Sequence, residues 1–434
     1  MTGVAQSTYT MGTMLEKAKH AAKKVLPLPK ERVLTAHDVH HARRYIEHYW
    51  TKLQRSHPKD DETLLGLPHP YLVPAFEEGH PFDFNEMYYW DSYFMVQGMM
   101  DEQHEQLVRG ILENLIAMQR RFKIIPNASR TYLMGRSQPP LLTSFIFDVY
   151  DTYKPDKNWL KEAIAVAHDE YQIVWMGTAK PNWRQVYRGL SRYYDINMLN
   201  DLAEAESGWD MTPRFERKAL NFLPVDLNSL LYKYETDFAR AELIFGNKDI
   251  AASWSERAAQ RSVIMNELLW SESRDFYYDF NFVKEKRGGV SSLAGFYPLW
   301  VGMVDTRRAA KLVKALRRFE NRGGLATTDN QPLSQLVPGS IPTQWAYPNG
   351  WAPLHYIIVK GLQRYGYHED ARRIAMKWLK TNLEWFNVHG VFLEKYNVVQ
   401  PNKPPLKGVY PSQTGFGWTN AVFERFCREY IDTR

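Results

Sequence analysis

The chain contains very little cysteine and no long apolar run, and both shortages limit what the protein can be. Its 434 residues include a single cysteine, Cys427, so no disulfide can form within the chain. No window approaches eighteen uninterrupted apolar residues, which argues against a membrane span. The first residues also lack the apolar core of a secretory signal. We therefore expect a cytoplasmic protein with no membrane partner.

Signatures of several enzyme classes are also missing. The sequence has no HExxH, P-loop, GxSxG or GxGxxG motif. His37, His40 and His41 lie close together, but their spacing differs from that of common metal sites, and we interpret them as surface residues. The net charge of +6 is dispersed. Its densest basic run, 307–322, has apolar residues at helical spacing, which indicates a solvated helix face rather than a nucleic-acid site.

Aromatic residues, in contrast, are abundant and make up 14% of the chain. The run QWAYPNGWAP (344–353) combines two tryptophans with prolines and a glycine, which predicts an ordered loop. Segments 82–94, 126–140 and 206–215 share this character. Aromatic faces pack against the C–H face of a sugar, while amides and carboxylates bind its hydroxyls. The sequence therefore predicts a pocket for a small polar ring, such as a sugar.

Apolar residues recur every three to four positions over long stretches, which predicts an all-helical protein. The stretches are 41–54, 104–122, 159–175, 227–245, 253–270 and 369–386. Strand-like alternation is confined to short pieces such as 274–283. The sugar-site motifs fall in the breaks between these helices, so their loops should converge on one pocket. We expect one helical domain over 36–434, preceded by a tail or arm over 1–35.

Hydrolysis of a glycosidic bond normally needs two carboxyl groups, and three positions are candidates. Asp210 could be an acid, because Trp209 beside it could desolvate it and raise its pKa; it could equally cap a following helix. Glu394 could be a general base or only the ion-pair partner of Lys395. Asp91 is flanked by aromatic residues, and a buried carboxylate there would need partners such as sugar hydroxyls.

The order of these motifs resembles the trehalase family of inverting glycoside hydrolases. The resemblance covers roughly residues 65–425. It rests on the motifs FDFNEMYYWDSYF, PNASRTYLMGRSQPP, ESGWDMTPRF, QWAYPNGWAP, EKYN and QTGFGWTNAV. It implies an (α/α)6 barrel, a toroid of helical hairpins, with the active site formed by loops at one mouth.

The resemblance also implies roles for individual residues. Asp210 matches the general acid, and Glu394 matches the general base that activates the attacking water. The residues matching the site of the cleaved glucose are Phe84, Tyr88, Trp90, Asp91, Gln344 and Trp345. Those matching the leaving-group side are Asn127, Arg136 and Gln138. Gly208, in the motif that carries the acid, is a further substrate-binding position. No metal or cofactor is implied, since two carboxyl groups and a water suffice.

Several positions depart from the family pattern. Asp83 stands where the family usually has arginine, Ala346 where it has aspartate, and Val409 where it has glutamate. Segment 400–408 replaces a glycine-rich lid and should be stiffer. The family's Arg-Pro-Glu-Ser segment is not found. These changes concern the leaving-group side, so we expect weaker selectivity for trehalose than is usual in the family.

Three functions therefore stay open. The main expectation is an inverting hydrolase that converts α,α-trehalose to two glucose molecules. Either Arg188, Arg192 or other residues replace the lost contacts, or the leaving group is not glucose. The second is a related α-glycosidase acting on another small glucoside, either another disaccharide or a glucosylglycerate-like compound. The third is a sugar-binding relative without catalysis. The expected partner is a small sugar, with no nucleic acid, and the sequence predicts no oligomeric state.

Overall fold

Two concentric rings of helices make up the computed structural model, which describes residues 35–79, 84–330, 343–406, 408 and 413–432. The arm expected over 1–35 lies outside these residues, except for Thr35. That residue caps the first helix: the Asp38 N–H donates to its hydroxyl, and its own N–H donates to the Asp38 carboxylate at 2.9 Å. Such reciprocal capping satisfies two backbone donors at the start of a helix.

Outer and inner helices alternate along the described chain. The outer helices are α1 (Ala36–Leu53), α3 (Glu105–Phe122), α5 (Lys157–Glu170), α8 (Lys248–Leu268), α10 (Thr306–Ala315) and α12 (His368–His389). The inner helices are α2 (Tyr89–Val96), α4 (Leu142–Tyr153), α7 (Val225–Phe245), α9 (Tyr297–Trp300), α11 (Ala352–Arg364) and α13 (Gly417–Tyr430). A short helix, α6 (Asn200–Glu206), precedes α7. The predicted (α/α)6 barrel is confirmed.

The inner helices are buried on nearly all sides, because they pack against each other and against the outer ring. All eight residues of α2 are buried. The ring closes where α13 packs on α2. On its other side α2 contacts α4, where the Gln97 side chain donates to Asp148 at 2.9 Å and the rings of Tyr93 and Phe145 meet edge to face. A helix with no solvent face has no polar stripe, so its periodicity is weak.

The outer helices bury one face only. In α10 the buried residues are Ala309 and Leu312, whereas Lys311 forms an ion pair with Asp275 at the surface. The prediction that this basic run is a solvated helix face is therefore confirmed. The stretch expected as one helix over 159–175 ends as an α-helix at Glu170 and continues as a π-helical turn.

The described strands are all two or three residues long and join loops rather than form a core sheet. Their bounds are β1 (Gln54–Arg55), β2 (Tyr71–Leu72), β3 (Gln185–Tyr187), β4 (Leu190–Ser191), β5 (Phe222–Leu223), β6 (Trp270–Ser271), β7 (Phe276–Tyr277), β8 (Phe280–Asn281), β9 (Lys286–Arg287), β10 (Glu320–Asn321), β11 (Gly324–Leu325), β12 (Asn349–Trp351) and β13 (Lys395–Asn397). The antiparallel pair β12–β13 sets Trp351 opposite Lys395. No helix in the described ranges is long and apolar enough to span a bilayer.

Candidate active site

One cavity of about 470 Å³ opens where the inner helices begin. Its walls include segments 84–91, 127–138, 205–210 and 413–418, each of which leads into or starts an inner helix. The connections from outer to inner helices therefore meet at one end of the ring. The volume lies within the range of small-molecule pockets, roughly 300–1,000 Å³.

Eleven of the twelve residues predicted from the sequence line this cavity. They are Phe84, Tyr88, Trp90, Asp91, Asn127, Arg136, Gln138, Gly208, Asp210, Trp345 and Glu394. Gln344 is the exception. It is fully buried outside the cavity lining, and its amide N–H donates to the backbone carbonyl of Asp210 at 2.7 Å. Gln344 therefore holds the backbone of Asp210, and its side chain is not placed in the cavity lining as a sugar contact would be.

Glu206 fixes the start of the loop that carries Asp210. Its carboxylate accepts the backbone N–H of Ser137 and that of Tyr194, both at 2.7 Å, and the Arg184 guanidinium pairs with it at 2.5 Å. All four residues are buried, so the charge is compensated inside the protein. Through Ser137, Glu206 thereby connects the loop that carries Asp210 to the segment that precedes α4.

Gly208 occupies a position that suits only glycine. Its φ is +75°, in the left-handed region, and a Cβ there would lie 2.6 Å from the indole of Trp90. Conformation and close approach both require the absence of a side chain. The loop that carries Asp210 can therefore pack directly against Trp90 in the cavity wall.

The residues that follow Asp210 do not form a helix, so Asp210 is not a helix cap. Bends follow Asp210, and the next helical turn begins only at Ala219. The loop instead pairs with the aromatic run, since the N–H of Trp345 donates to the carbonyl of Met211 at 3.1 Å.

The environment of Asp210 favours its protonated form. Burial, with repulsion from Glu394 in addition, raises the pKa of Asp210 to about 7, against the opposing pull of Arg136 and Lys395. The side chain still keeps part of its surface open to the cavity. A carboxyl group that holds its proton near neutral pH can donate it to a leaving oxygen.

Glu394 lies in another wall of the cavity, with its backbone held on both sides. Its N–H donates to the carbonyl of Gln413 at 3.1 Å, and the Trp418 indole donates to its carbonyl at 3.1 Å. Its carboxylate lies 2.5 Å from the Lys395 ammonium, and both groups are buried. Glu394 thus forms the ion pair with Lys395 and also lines the cavity, as a general base would have to.

A third carboxyl group, Asp91, faces the same cavity from α2. Burial raises the pKa of Asp91 well above its ordinary value, and the charges of Asp210 and Glu394 add to the effect. A desolvated carboxyl beside like charges requires hydrogen-bond partners, which sugar hydroxyls could provide. Next to it, the N–H of Trp90 donates to the side-chain oxygen of Gln138 at 2.9 Å, joining two predicted site segments.

Two arginines line the cavity, and each already has a carboxylate partner. Arg136 pairs with buried Asp195 at 3.1 Å, and Arg130 pairs with Glu86 at 3.1 Å. The Nε of Arg136 has no hydrogen-bond partner among the described residues. Asn127 also lies on this side, where its amide donates to the backbone carbonyl of Ser137 at 3.1 Å.

Several cavity residues were not predicted from the sequence. They are Pro74, Glu86, Arg130, Tyr132, Leu133, Ala205, Gln413, Phe416 and Trp418. Most of them lie inside the motifs that carried the family resemblance, so membership of a motif was the available signal. Pro74 and Ala205 lie outside those motifs; Ala205 directly precedes one of them, whereas nothing in the sequence context of Pro74 points to the cavity.

The departures from the family pattern are only partly visible. Asp83 and Val409 lie outside the described residues. Ala346 is 1% exposed and absent from the cavity lining, so an aspartate in its place would be buried behind the wall.

The suggestion that Arg188 or Arg192 replaces lost leaving-group contacts is not supported, because neither lines the cavity. Arg188 forms an exposed ion pair with Glu267 at 2.5 Å. Arg192 donates to backbone carbonyls, including that of Leu220 at 2.7 Å.

The clustered histidines behave as surface residues. His37, His40 and His41 are all exposed. Across the described ranges, no group of three or more His, Cys, Asp or Glu side chains is placed to hold a metal ion.

Comparison with known proteins agrees with this geometry. The model of the family described as Trehalase matches residues 10–204 and 197–431. A cytosolic neutral trehalase of Emericella nidulans is 32% identical, over 82% of this chain and 57% of that protein. One from Kluyveromyces lactis is 31% identical, over 84% and 56% respectively. The chain thus spans little more than half the length of these relatives.

Solved structures show the same fold. A neutral trehalase of Saccharomyces cerevisiae matches with a TM-score of 0.71 and 30% identity, over 83% of this chain and 73% of that one. A mannosylglycerate hydrolase of Thermus thermophilus, solved in complex with glucose, matches with a TM-score of 0.66 but only 17% identity, over 89% of this chain and all of that one. The latter likeness supports the barrel alone. On the family model and the fungal relatives together, the chain belongs to the trehalase family.

Proposed function

We propose that the protein hydrolyses α,α-trehalose to two glucose molecules, with inversion at the anomeric carbon that is attacked. One observation carries the proposal: Asp210 and Glu394 line the same cavity and have different immediate surroundings. Asp210 is desolvated, with a pKa raised to about 7, whereas Glu394 contacts an ammonium group. Environments that differ in this way divide two carboxyl groups into an acid and a base.

The reaction then follows from these two groups. Asp210 donates its proton to the glycosidic oxygen while the bond from that oxygen to the anomeric carbon breaks. Glu394 accepts a proton from a water molecule whose oxygen forms the new bond on the opposite face. The attacked sugar leaves as β-glucose and the other as α-glucose. We expect the two carboxyl groups to lie about 6.5–9.5 Å apart, leaving room for that water.

The charges of the cavity favour a neutral leaving group. Both lining arginines are engaged, Arg130 by Glu86 and Arg136 by Asp195. An anionic leaving group such as glycerate would bring further negative charge towards Glu394 and its neighbouring carboxyl groups, and both described lining arginines already pair with a carboxylate. A second sugar, which offers only hydroxyls, fits this balance better and favours trehalose over a glucosylglycerate.

The relatives support the same substrate and suggest a location. Those from Emericella nidulans and Kluyveromyces lactis are named neutral trehalases and cytosolic. We extend both properties to this protein as part of the proposal. Because the chain spans only 57% of the first of these proteins, any function of the remainder is not carried over.

Proton NMR of the first turnovers tests the proposal. With trehalose, inversion gives equal initial amounts of α- and β-glucose before mutarotation, and Asp210→Asn serves as the inactive control. Exclusive release of α-glucose would contradict inversion. Faster hydrolysis of glucosylglycerate or of another disaccharide would favour the second function. Binding of trehalose without turnover at any pH from 4 to 8 would favour the sugar-binding alternative.

A further inference from the structure

Three buried tryptophans form a continuous stack between two cations. Trp345 and Trp351 lie parallel, with ring centroids 3.7 Å apart and planes within 1°. Trp209 stacks on Trp345 at 5.4 Å. The Arg214 guanidinium lies 4.3 Å from the Trp209 ring centroid, and the Lys395 ammonium lies 5.0 Å from that of Trp351. The order is therefore cation, three indoles, cation.

The two ends of this stack adjoin the two catalytic carboxyl groups. Trp209 immediately precedes Asp210, and Lys395 immediately follows Glu394. The antiparallel pairing of β12 with β13 sets Trp351 opposite Lys395. Parts of the chain that are distant in sequence thus meet through one column of rings.

The position of Lys395 is defined on several sides. Trp345 covers one face of Trp351 at 3.7 Å, so the ammonium lies over the other face. Its second contact is the Glu394 carboxylate at 2.5 Å. A buried ammonium requires such compensation, and an indole face attracts a cation most strongly when water is excluded. The pairing therefore leaves the carboxylate little freedom to turn.

The far end of the stack is equally fixed. The Arg214 guanidinium pairs with Asp226 at 2.8 Å and with Asp279 at 2.9 Å, and all three residues are buried. Trp209 therefore lies between this buried, ion-paired guanidinium and Trp345.

We propose that Lys395 is a positioning residue for the base, holding the Glu394 carboxylate in its reactive orientation while the indole stack holds Lys395. The inference rests on the proposed hydrolysis and adds to it a residue that need not touch the substrate. It also predicts an effect on the acid, because the Lys395 charge opposes the rise in the pKa of Asp210. The other charged groups acting with it around Asp210 are Glu394, Arg136, Asp91 and Glu204.

The test compares Lys395→Met with Lys360→Met. Lys360 is a matched control, since it also pairs with a glutamate, Glu429, and lies 5.9 Å from the ring centroid of Tyr356, away from the cavity lining. For Lys395→Met we expect kcat on trehalose to fall about 100-fold, as for a misplaced catalytic group, with KM changed less than about threefold. The basic limb of kcat/KM should move to higher pH, which a purely structural defect would not cause.

The outcomes separate this inference from the proposed function. A wild-type protein that does not hydrolyse trehalose contradicts the proposed function. If the wild type is active and Lys395→Met has the same kcat as Lys360→Met and the same basic limb of the kcat/KM profile, the positioning role is overturned. If Lys395→Met does not fold, Trp351→Phe decides: a reduced kcat at constant KM supports the role, and an unchanged kcat overturns it.

Discussion

Replacing Asp210 by asparagine should abolish hydrolysis and at the same time stabilise the protein above neutral pH. The reason is the raised pKa of the folded carboxyl group, about 7 against an ordinary 3.8. Below pH 3.8 the group is protonated in both states and causes no difference. As the pH rises further the unfolded chain ionises first, so wild-type stability is lost progressively until about pH 7 and is then constant. Asparagine does not ionise and avoids this loss.

The size of the effect follows from the two pKa values. Each pKa unit corresponds to about 1.4 kcal/mol, so the gap from 3.8 to about 7 amounts to about 4 kcal/mol in favour of the variant. The entropy of unfolding of a 434-residue chain is about 0.9 kcal/mol per kelvin. The expected rise in melting temperature is therefore about 4 °C at pH 8, and about 1 °C at pH 4.5.

Thermal unfolding followed by circular dichroism at pH 4.5 and pH 8 measures both quantities. Asp151→Asn is the control, because Asp151 forms an exposed ion pair with Arg240, and such pairs contribute about 0–1 kcal/mol. A gain for Asp210→Asn of the same size at both pH values would indicate a better fit of the amide rather than removal of ionisation. No gain at pH 8 would refute the electrostatic reasoning, and near-normal activity would mean that Asp210 is not the acid.

Three further predictions follow from the site. The kcat/KM of the wild type should fall as pH rises through about 7, where Asp210 loses its proton; a pH–rate profile that stays flat to pH 9 would contradict its role. Glu394→Gln should cripple turnover while trehalose still binds, as calorimetry can show, and added azide should restore part of the rate; full activity would exclude Glu394 as the base. Gly208→Ala should lower kcat/KM at least about tenfold, because its Cβ would displace Trp90. Gly366→Ala is the control: φ there is +79°, but nothing lies within 4 Å of the added Cβ. Its backbone strain of about 1–2 kcal/mol should lower the melting temperature and leave kcat/KM unchanged.

The outer ring could be predicted from the sequence, and much of the inner ring could not. Helix α3 alternates buried and exposed residues at helical spacing, and so does α12, because each has one solvent face. Helix α2 offers no such contrast, since all its residues are buried. The same holds for most of α11, of which only the first two residues, Ala352 and Pro353, lie in the loop predicted over 344–353. Hydrophobic periodicity arises where a helix has one buried face and one face in water, and these helices have almost no face in water.

At the site, residue types could be predicted more readily than their neighbours. From the sequence alone Asp210 could be either an acid or a helix cap. The cap is excluded because no helix directly follows Asp210. Its raised pKa depends on burial and on Glu394, which is distant in sequence. Gln344 shows the opposite case. Its motif suggested a sugar contact, but its side chain is turned to the backbone of Asp210. Local sequence does not record which way a buried amide points.

The closure of the ring by α13 makes this helix a condition for the proposed activity. This helix packs against α1 and α2, and its Trp418 donates to the carbonyl of Glu394. A chain truncated before Gly417 would retain Asp210 but would leave the apolar flank of α2 uncovered and the base without its support. Chaperones and proteases would bind such a product because its apolar surface is exposed. The proposed cleavage of the sugar would thus begin only after α13 has closed the barrel.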